Sequence, residues 1–303
     1  MSITEKSTAE VLGSEAPRIV AVETSVRSIW RRYGPWAFTV LNLTTFFVVW
    51  ELFTRVQKFD AALGTYKPFV SPLFLPSPLR VFNALWEGLT TSAPAGAVIS
   101  GSIRDHLLYS VSDLGIGVVI AIAIGVPFGL LMGANRYVDA LLSPYVWAIS
   151  SIPRIALVPL FILFMGFTRK MQITIIVLTA VFPIMINSWA GVKTTDKSLL
   201  AAAKVFGAGR WQLYTKVVFP FTLPFIVSGI QQGIGRGLVG VIIAEWVGGS
   251  KGLGYLISRS GDTFNSPLLY AVLFLLVVMS LSLIQLTRWL EAKVAPWRRL
   301  ETL

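Results

Sequence analysis

Long apolar stretches alternate with short polar connectors along most of the chain. Six of these stretches reach roughly the 20 residues that a helix needs to cross a bilayer. They cover residues 34–53, 107–134, 141–166, 172–192, 217–247 and 268–290. The pattern therefore predicts an all-α polytopic membrane protein with six transmembrane helices. The fifth stretch is over-long and contains Pro220 and Pro224, so it starts as a short interfacial piece or kinks there. Pro127, Pro153, Pro159 and Pro183 are expected to kink or break other spans.

Residues 54–106 form the longest segment without a span. Within it, Ser77-Pro78 has the form of a helix start, Ser as N-cap and Pro at the first helical position. Phe82, Leu85, Trp86 and Leu89 follow at i, i+3, i+4 and i+7, one apolar stripe. The resulting short helix lies at the membrane interface or packs on the protein itself; periodicity does not choose between them. The connector 248–267 is rich in Gly and Ser and is expected to be irregular.

Composition agrees with the spans. Of 303 residues, 54% are hydrophobic and 14% charged, against about 25% charged in soluble domains. Mean hydropathy is +0.70. The formal net charge of +11 does not signal nucleic-acid binding, because the basic residues sit at the ends of apolar runs rather than among aromatics in a groove. With no cysteine and His106 as the only histidine, neither a disulfide framework nor a His/Cys metal cluster is available. His106, at the end of the second span, reads as an interfacial residue rather than a proton relay.

Orientation follows from the basic residues. Fifteen Lys and Arg flank one set of span ends: Lys6, Arg18, Arg27, Arg31, Arg32, Arg136, Lys193, Lys197, Lys204, Arg210, Lys216, Arg288, Lys293, Arg298 and Arg299. Nine flank the other, from Arg55 to Arg259. The richer side is expected to be cytoplasmic. Both termini then lie inside, and residues 1–33 form a cytoplasmic N-terminal segment ahead of a membrane domain over 34–303. Segment 54–106 is external. The run after Gly34 reads as a retained span, since its length and lack of a cleavage site do not suit a signal peptide.

The cytoplasmic connector 193–216 is the most informative polar stretch. Thr195, Asp196 or Ser198 can cap a helix through Leu199, Leu200, Ala201, Ala202, Ala203, Lys204, Val205 and Phe206. Gly207 can end it in a left-handed conformation. A second short helix from Arg210 leads into the fifth span. Small alanines permit close approach, and Leu199, Leu200, Val205 and Phe206 offer apolar contact to a partner. The stretch resembles the cytoplasmic EAA loop of bacterial ABC-importer permeases: Ala202, Ala203, Gly207, Val217 and Pro220 fall at that pattern's spacings. Ala201 stands where the pattern has Glu, and Phe219 where it has Leu.

The resemblance extends over most of the chain after residue 70. Leu75-Pro76-Ser77-Pro78, His106-Leu107-Leu108 with Ser110, Ala156-Leu157-Val158-Pro159-Leu160-Phe161, Phe182-Pro183-Ile184, Ala190-Gly191-Val192, Ala244-Glu245 and Gly252-Leu253-Gly254-Tyr255-Leu256 are similar, in order, to blocks of nitrate/sulfonate/taurine/bicarbonate-type permeases. The resemblance implies a type I ABC importer permease core in a bacterial plasma (inner) membrane. It further implies two cytoplasmic ATP-binding subunits, a permease dimer, and an external binding protein that delivers a small solute; nothing in the sequence suggests a second kind of permease, so the dimer is read as a homodimer. The implied cycle switches the spans between inward- and outward-facing states as ATP closes the ATPases.

Arg154 and Arg236 fall near the middle of the third and fifth spans, where a charge costs about 2.5–3.5 kcal/mol on insertion scales. No equally deep carboxylate is evident, which points to a path for an anion. Alternatively each bonds backbone carbonyls freed by Pro153 or Pro159, or pairs with Glu245 or Asp113. Gln231, Gln232, Asn187 and Glu245 complete the candidate pathway set. Glycines at intervals of four, 125/129/133 and 229/233/237, suit close helix packing within the chain or at a dimer or pore face.

The chain carries no G-x-x-x-x-G-K-[ST] loop, so ATP hydrolysis falls to partner chains, and no catalytic residue or cofactor is expected. A stand-alone secondary transporter is the rival reading; it needs a deep acidic residue and has no use for the EAA-like loop. A membrane-embedded enzyme needs a cluster that one histidine does not supply.

Overall fold

Proline and glycine punctuation sets most of the element boundaries. The computed structural model describes residues 18–60, 65–68, 71, 73–91 and 102–294. The elements are α1 (Arg18–Arg55), β1 (Gln57–Asp60), β2 (Thr65–Pro68), α2 (Pro78–Thr90), α3 (Ile103–Ala134), α4 (Arg136–Ser151), a 3-10 turn (Arg154–Leu157), α5 (Val158–Met165), α6 (Arg169–Lys193), α7 (Lys197–Val205), α8 (Arg210–Leu213), a π-helical turn (Tyr214–Val218), α9 (Phe219–Gly248), α10 (Leu253–Asp262) and α11 (Ser266–Val294). By contacts the chain forms two units, Met1–Leu79 and Arg80–Leu303.

The first unit contains α1 and a small hairpin. Residues 36–55 of α1 are long and apolar enough to cross a membrane. β1 and β2 pair antiparallel, Gln57 opposite Pro68 and Asp60 opposite Thr65. This hairpin lies outside the spans, and the described part of the chain is otherwise helical, as the all-α expectation has it.

In the second unit α6 is the central helix, packed between α3 and α9. Glycine makes that packing possible. A Cβ on Gly117, Gly125, Gly129 or Gly133 of α3 would collide with α6 at Ile176, Val181, Met185 and Val192 respectively. Gly229 and Gly233 of α9 meet α6 in the same way, at Asn187 and Ile184. Lipid tails give no hydrophobic drive for helix pairing, so close van der Waals approach supplies the attraction. Both glycine series thus serve packing inside the chain. The core between them holds Ala121, Ala180, Ile184 and Met185, and Leu114, Val118, Ile176 and Val241.

The third stretch breaks at Pro153, one of the prolines expected to kink or break a span: α4 and the Arg154–Met165 segment meet at 90°. Pro153 disfavours helix at the residue before it, and Ile152 is extended, with φ −69° and ψ 130°. Among the described residues there are five long apolar helices, six spans if this bent pair crosses as one. The connector 248–267 is not irregular throughout, because α10 occupies ten of its residues. Leu253 and Leu256 are buried against Ile103 and Val272, and this tertiary burial outweighs the glycine-rich composition.

The fifth span starts earlier than expected. A continuous helical path runs from Arg210 to Gly248. It passes through the π-helical turn, and the missing N–H of Pro220 falls directly after that turn.

Candidate functional site

The island between α6 and α9 is built by its caps. The Asp196 side chain accepts from the Ser198 N–H at 2.8 Å and opens α7. At the other end Gly207 has φ +79°. The Ala208 N–H donates to the Ala203 carbonyl at 3.0 Å and the Gly207 N–H to the Lys204 carbonyl at 2.9 Å. This is a Schellman closure, and it turns the chain sharply. The Gln212 side chain then accepts from the Gly209 N–H at 3.0 Å at the start of α8.

The bend presents apolar side chains to solvent. Phe206 is 90% exposed, Val205 86% and Trp211 79%. Leu199, Ala201, Ala202, Lys204, Gly207 and Arg210 are also exposed, whereas Leu200 and Ala203 are half-buried. Trp211 is absent from the sequence-derived set. Its signal is a large aromatic inside a polar connector, between Arg210 and Gln212. At the base of the island Lys193 pairs with Asp139 at 2.8 Å, tying the end of α6 to α4.

The mid-span group is carried by the turn after the α4–α5 bend, by α6 and by α9. Arg154 donates from Nη2 to the Ser150 carbonyl at 2.8 Å, a carbonyl orphaned when α4 ends at Ser151. Its buried Nε has no hydrogen-bond partner among the described residues. Arg236 is exposed, and its guanidinium is close enough to act electrostatically on Arg154. Neither arginine has a carboxylate partner among the described ion pairs. One helical turn before Arg236, Gln232 donates to Asn187 Oδ1 over a long 3.4 Å, and Asn187 donates to the Pro183 carbonyl at 2.8 Å. Gln231 is half-buried beside them. Asn187, Gln232, Arg236 and Arg154 are thus drawn into one region.

Glu245 is not part of it. It lies nine residues beyond Arg236, about 13 Å along the helix, and is 1% exposed. Its carboxyl group accepts from the Ser110 hydroxyl at 2.7 Å and from the Gly254 N–H at 2.9 Å. Ser110 in turn accepts from the Leu253 N–H at 2.8 Å, and His106 Nδ1 from the Gly252 N–H at 3.0 Å. His106 is therefore buried, at 2% exposure, and stacks on Tyr255; it is not an interfacial side chain. Asp113 is also buried, paired with Arg169 at 2.6 Å. Arg169 reaches on to Ser112 at 2.7 Å and lies over the Tyr109 ring. The spans thus hold two carboxyl groups buried within the protein, Asp113 and Glu245. Each has its own partners, and neither neutralises Arg154 or Arg236.

With this geometry in view, relatives are informative. Residues 125–298 match the family model of the binding-protein-dependent transport system inner membrane component. The chain belongs to this family. It is an ABC importer permease subunit, and its family is one of transport subunits of the inner membrane. Such permeases work with ATPase and substrate-binding protein subunits.

The permease is 28% identical over 268 residues to the formylaminopyrimidine transport permease protein ThiX of Halalkalibacterium halodurans, covering 87% of this chain and 98% of that one. It is 28% identical over 228 residues to the taurine transport system permease protein TauC of Escherichia coli, covering 75% and 82%. It is 32% identical over 254 residues to a putative ABC transporter permease of Methanocaldococcus jannaschii, covering 84% and 89%. An inward-facing MetNI methionine ABC transporter structure superposes with a TM-score of 0.55 at 21% identity, over 63% of this chain and 95% of that one, and shares the fold of a type I importer permease.

Proposed function

We propose that this permease imports a small anionic solute, of the nitrate, sulfonate, taurine, bicarbonate or organic-acid class, at the expense of ATP hydrolysed by two cytoplasmic subunits. An external binding protein delivers the solute, a second copy of the chain completes a homodimer, and the chain itself catalyses nothing. Both termini and residues 193–216 face the cytoplasm, while 54–106 face outward. Among relatives, one is named for taurine and one for aliphatic sulfonates, whereas others are named for formylaminopyrimidine and riboflavin. The preference for an anion therefore rests on Arg154 and Arg236.

The observation that carries the docking is the bent α7–Gly207–α8 pair with Val205, Phe206 and Trp211 exposed. Burying a Val or Phe side chain in a partner groove is worth roughly 1.5–3 kcal/mol. A stand-alone secondary transporter has no use for such a surface. Phe206→Asp and Trp211→Asp place a charge in that contact without touching the membrane core. Both are expected to abolish copurification of the ATPase subunit while the permease still reaches the membrane. Wild-type recovery of the ATPase with both variants would refute the docking.

A further inference from the structure

The helix α2 precedes the segment that matches the family model, and its side chains divide into three sides. At about 100° per residue, Val81, Leu85 and Gly88 share one side. Val81 is buried, Leu85 packs with the cluster of Ile103, Leu253 and Leu256, and a Cβ on Gly88 would collide with Ile103. This side is docked on the protein.

The second side carries Leu79, Phe82, Trp86 and Leu89, exposed by 57%, 61%, 61% and 36%. The third carries Arg80, Asn83, Glu87 and Thr90, all exposed and polar. A helix submerged in lipid has no such polar side, and a helix in water gains nothing from the apolar one. A helix lying in the plane of a membrane interface uses both.

Where α2 docks supports the same placement. Ile103 is the first residue of α3, a 32-residue span about 48 Å long against a hydrocarbon core of roughly 30 Å. The first turn of α3 therefore reaches the headgroup layer, and it bears exposed Arg104 and Asp105. One turn further in, apolar side chains appear among the exposed positions, Leu108 at 56% and Val111 at 43%. α2 is fixed at this change from polar to apolar surface.

We propose that α2 is a lipid-binding interfacial helix, with Leu79, Phe82, Trp86 and Leu89 among the acyl chains and Arg80, Asn83 and Glu87 toward headgroups and water. Trp86 suits that depth, where an amphipathic ring has one apolar and one wet side. The proposal holds whatever the transported solute is.

The chain has no cysteine, so single-cysteine variants can be labelled without background. Phe82→Cys, Trp86→Cys, Asn83→Cys and Glu87→Cys are each spin-labelled in the full-length permease in lipid vesicles. Collision with oxygen, which partitions into lipid, is compared with collision with a water-soluble nickel chelate. The expected result is an oxygen-to-nickel ratio several-fold higher at 82 and 86 than at 83 and 87. A nickel-favoured ratio at 82 and 86 would place the apolar side in water and overturn the proposal. Protection from both reagents at 82 and 86 would place it against a protein, a second copy or a binding protein, and would equally overturn it.

Discussion

At Gly252 the backbone has φ +107°, and a Cβ there would collide with the Glu245 carboxyl group. Two requirements meet at one residue: a left-handed conformation, and room for a buried acid. The neighbouring N–H groups of Gly252, Leu253 and Gly254 feed His106, Ser110 and Glu245 respectively. The knot thereby ties α10 to α3 and α9. Gly252→Ala is expected to lower the thermal midpoint of the purified permease and to reduce its yield in the membrane, because strain of this kind costs on the order of 1–3 kcal/mol. An unchanged midpoint would show that the knot relaxes freely. Arg154 and Arg236 differ from Gly252 in consequence. Each lies within a candidate membrane span without a carboxylate partner among the described ion pairs, and Arg154 spends one donor on the orphaned Ser150 carbonyl. Arg→Gln at either position is expected to leave assembly and ATP hydrolysis in place while uptake of an anionic substrate into vesicles falls at least about tenfold, the loss of a contact worth about 1.4 kcal/mol. Arg→Lys recovers part of uptake if charge alone matters, and little if the planar fork is needed. Full uptake by both Arg→Gln variants would remove these residues from the path.

Among elements, the α7–α8 bend depends on Gly207, which has open space around its Cβ position and so is held to glycine by φ alone. Gly207→Val resists φ +79° and is expected to misalign α8 and uncouple ATP hydrolysis from transport, with little effect on membrane insertion. Transport-coupled hydrolysis at the wild-type ratio would refute this. The bend was legible in the sequence because Asp196, the alanine run and Gly207 act locally, within one or two turns. The six apolar stretches were legible for a similar reason, since each satisfies its own backbone. Two features were not. The 90° break at Ile152–Pro153 depends on which way the chain turns after the proline, and a proline alone does not distinguish a kink from a corner. α10 stayed hidden because Leu253 and Leu256 are held by Ile103, 150 or more residues away in sequence, while the local signal was glycine. The environment of Glu245 was hidden likewise, its partner Ser110 being 135 residues away.

For the whole molecule, the mid-span group sets the terms. The described residues place Arg154 beside a non-helical break at Ile152–Pro153, and in a bilayer irregular backbone persists only where it is buried in protein or lines water. A single chain leaves that region open: Ile152 and Ile155 are 38% and 51% exposed, and Leu163 and Phe164 on α5 78% and 76%. Exposed apolar side chains on α5 are acceptable against lipid, but the break and two arginines are not. A second copy facing the first would cover them and enclose a wet path between two pairs of arginines. On the proposed reading the island offers one docking surface per copy, which would match one ATPase per permease. Native mass spectrometry of the assembled complex is therefore expected to show two copies of this chain with two ATPases. One permease per two ATPases would refute the arrangement. In the two-copy form, Ile155→Arg adds a third cation beside Arg154 and Arg236 near the proposed contact. It is expected to shift the mass distribution toward single permeases, whereas the same charge introduced at an already exposed polar position such as Asn83 leaves it unchanged.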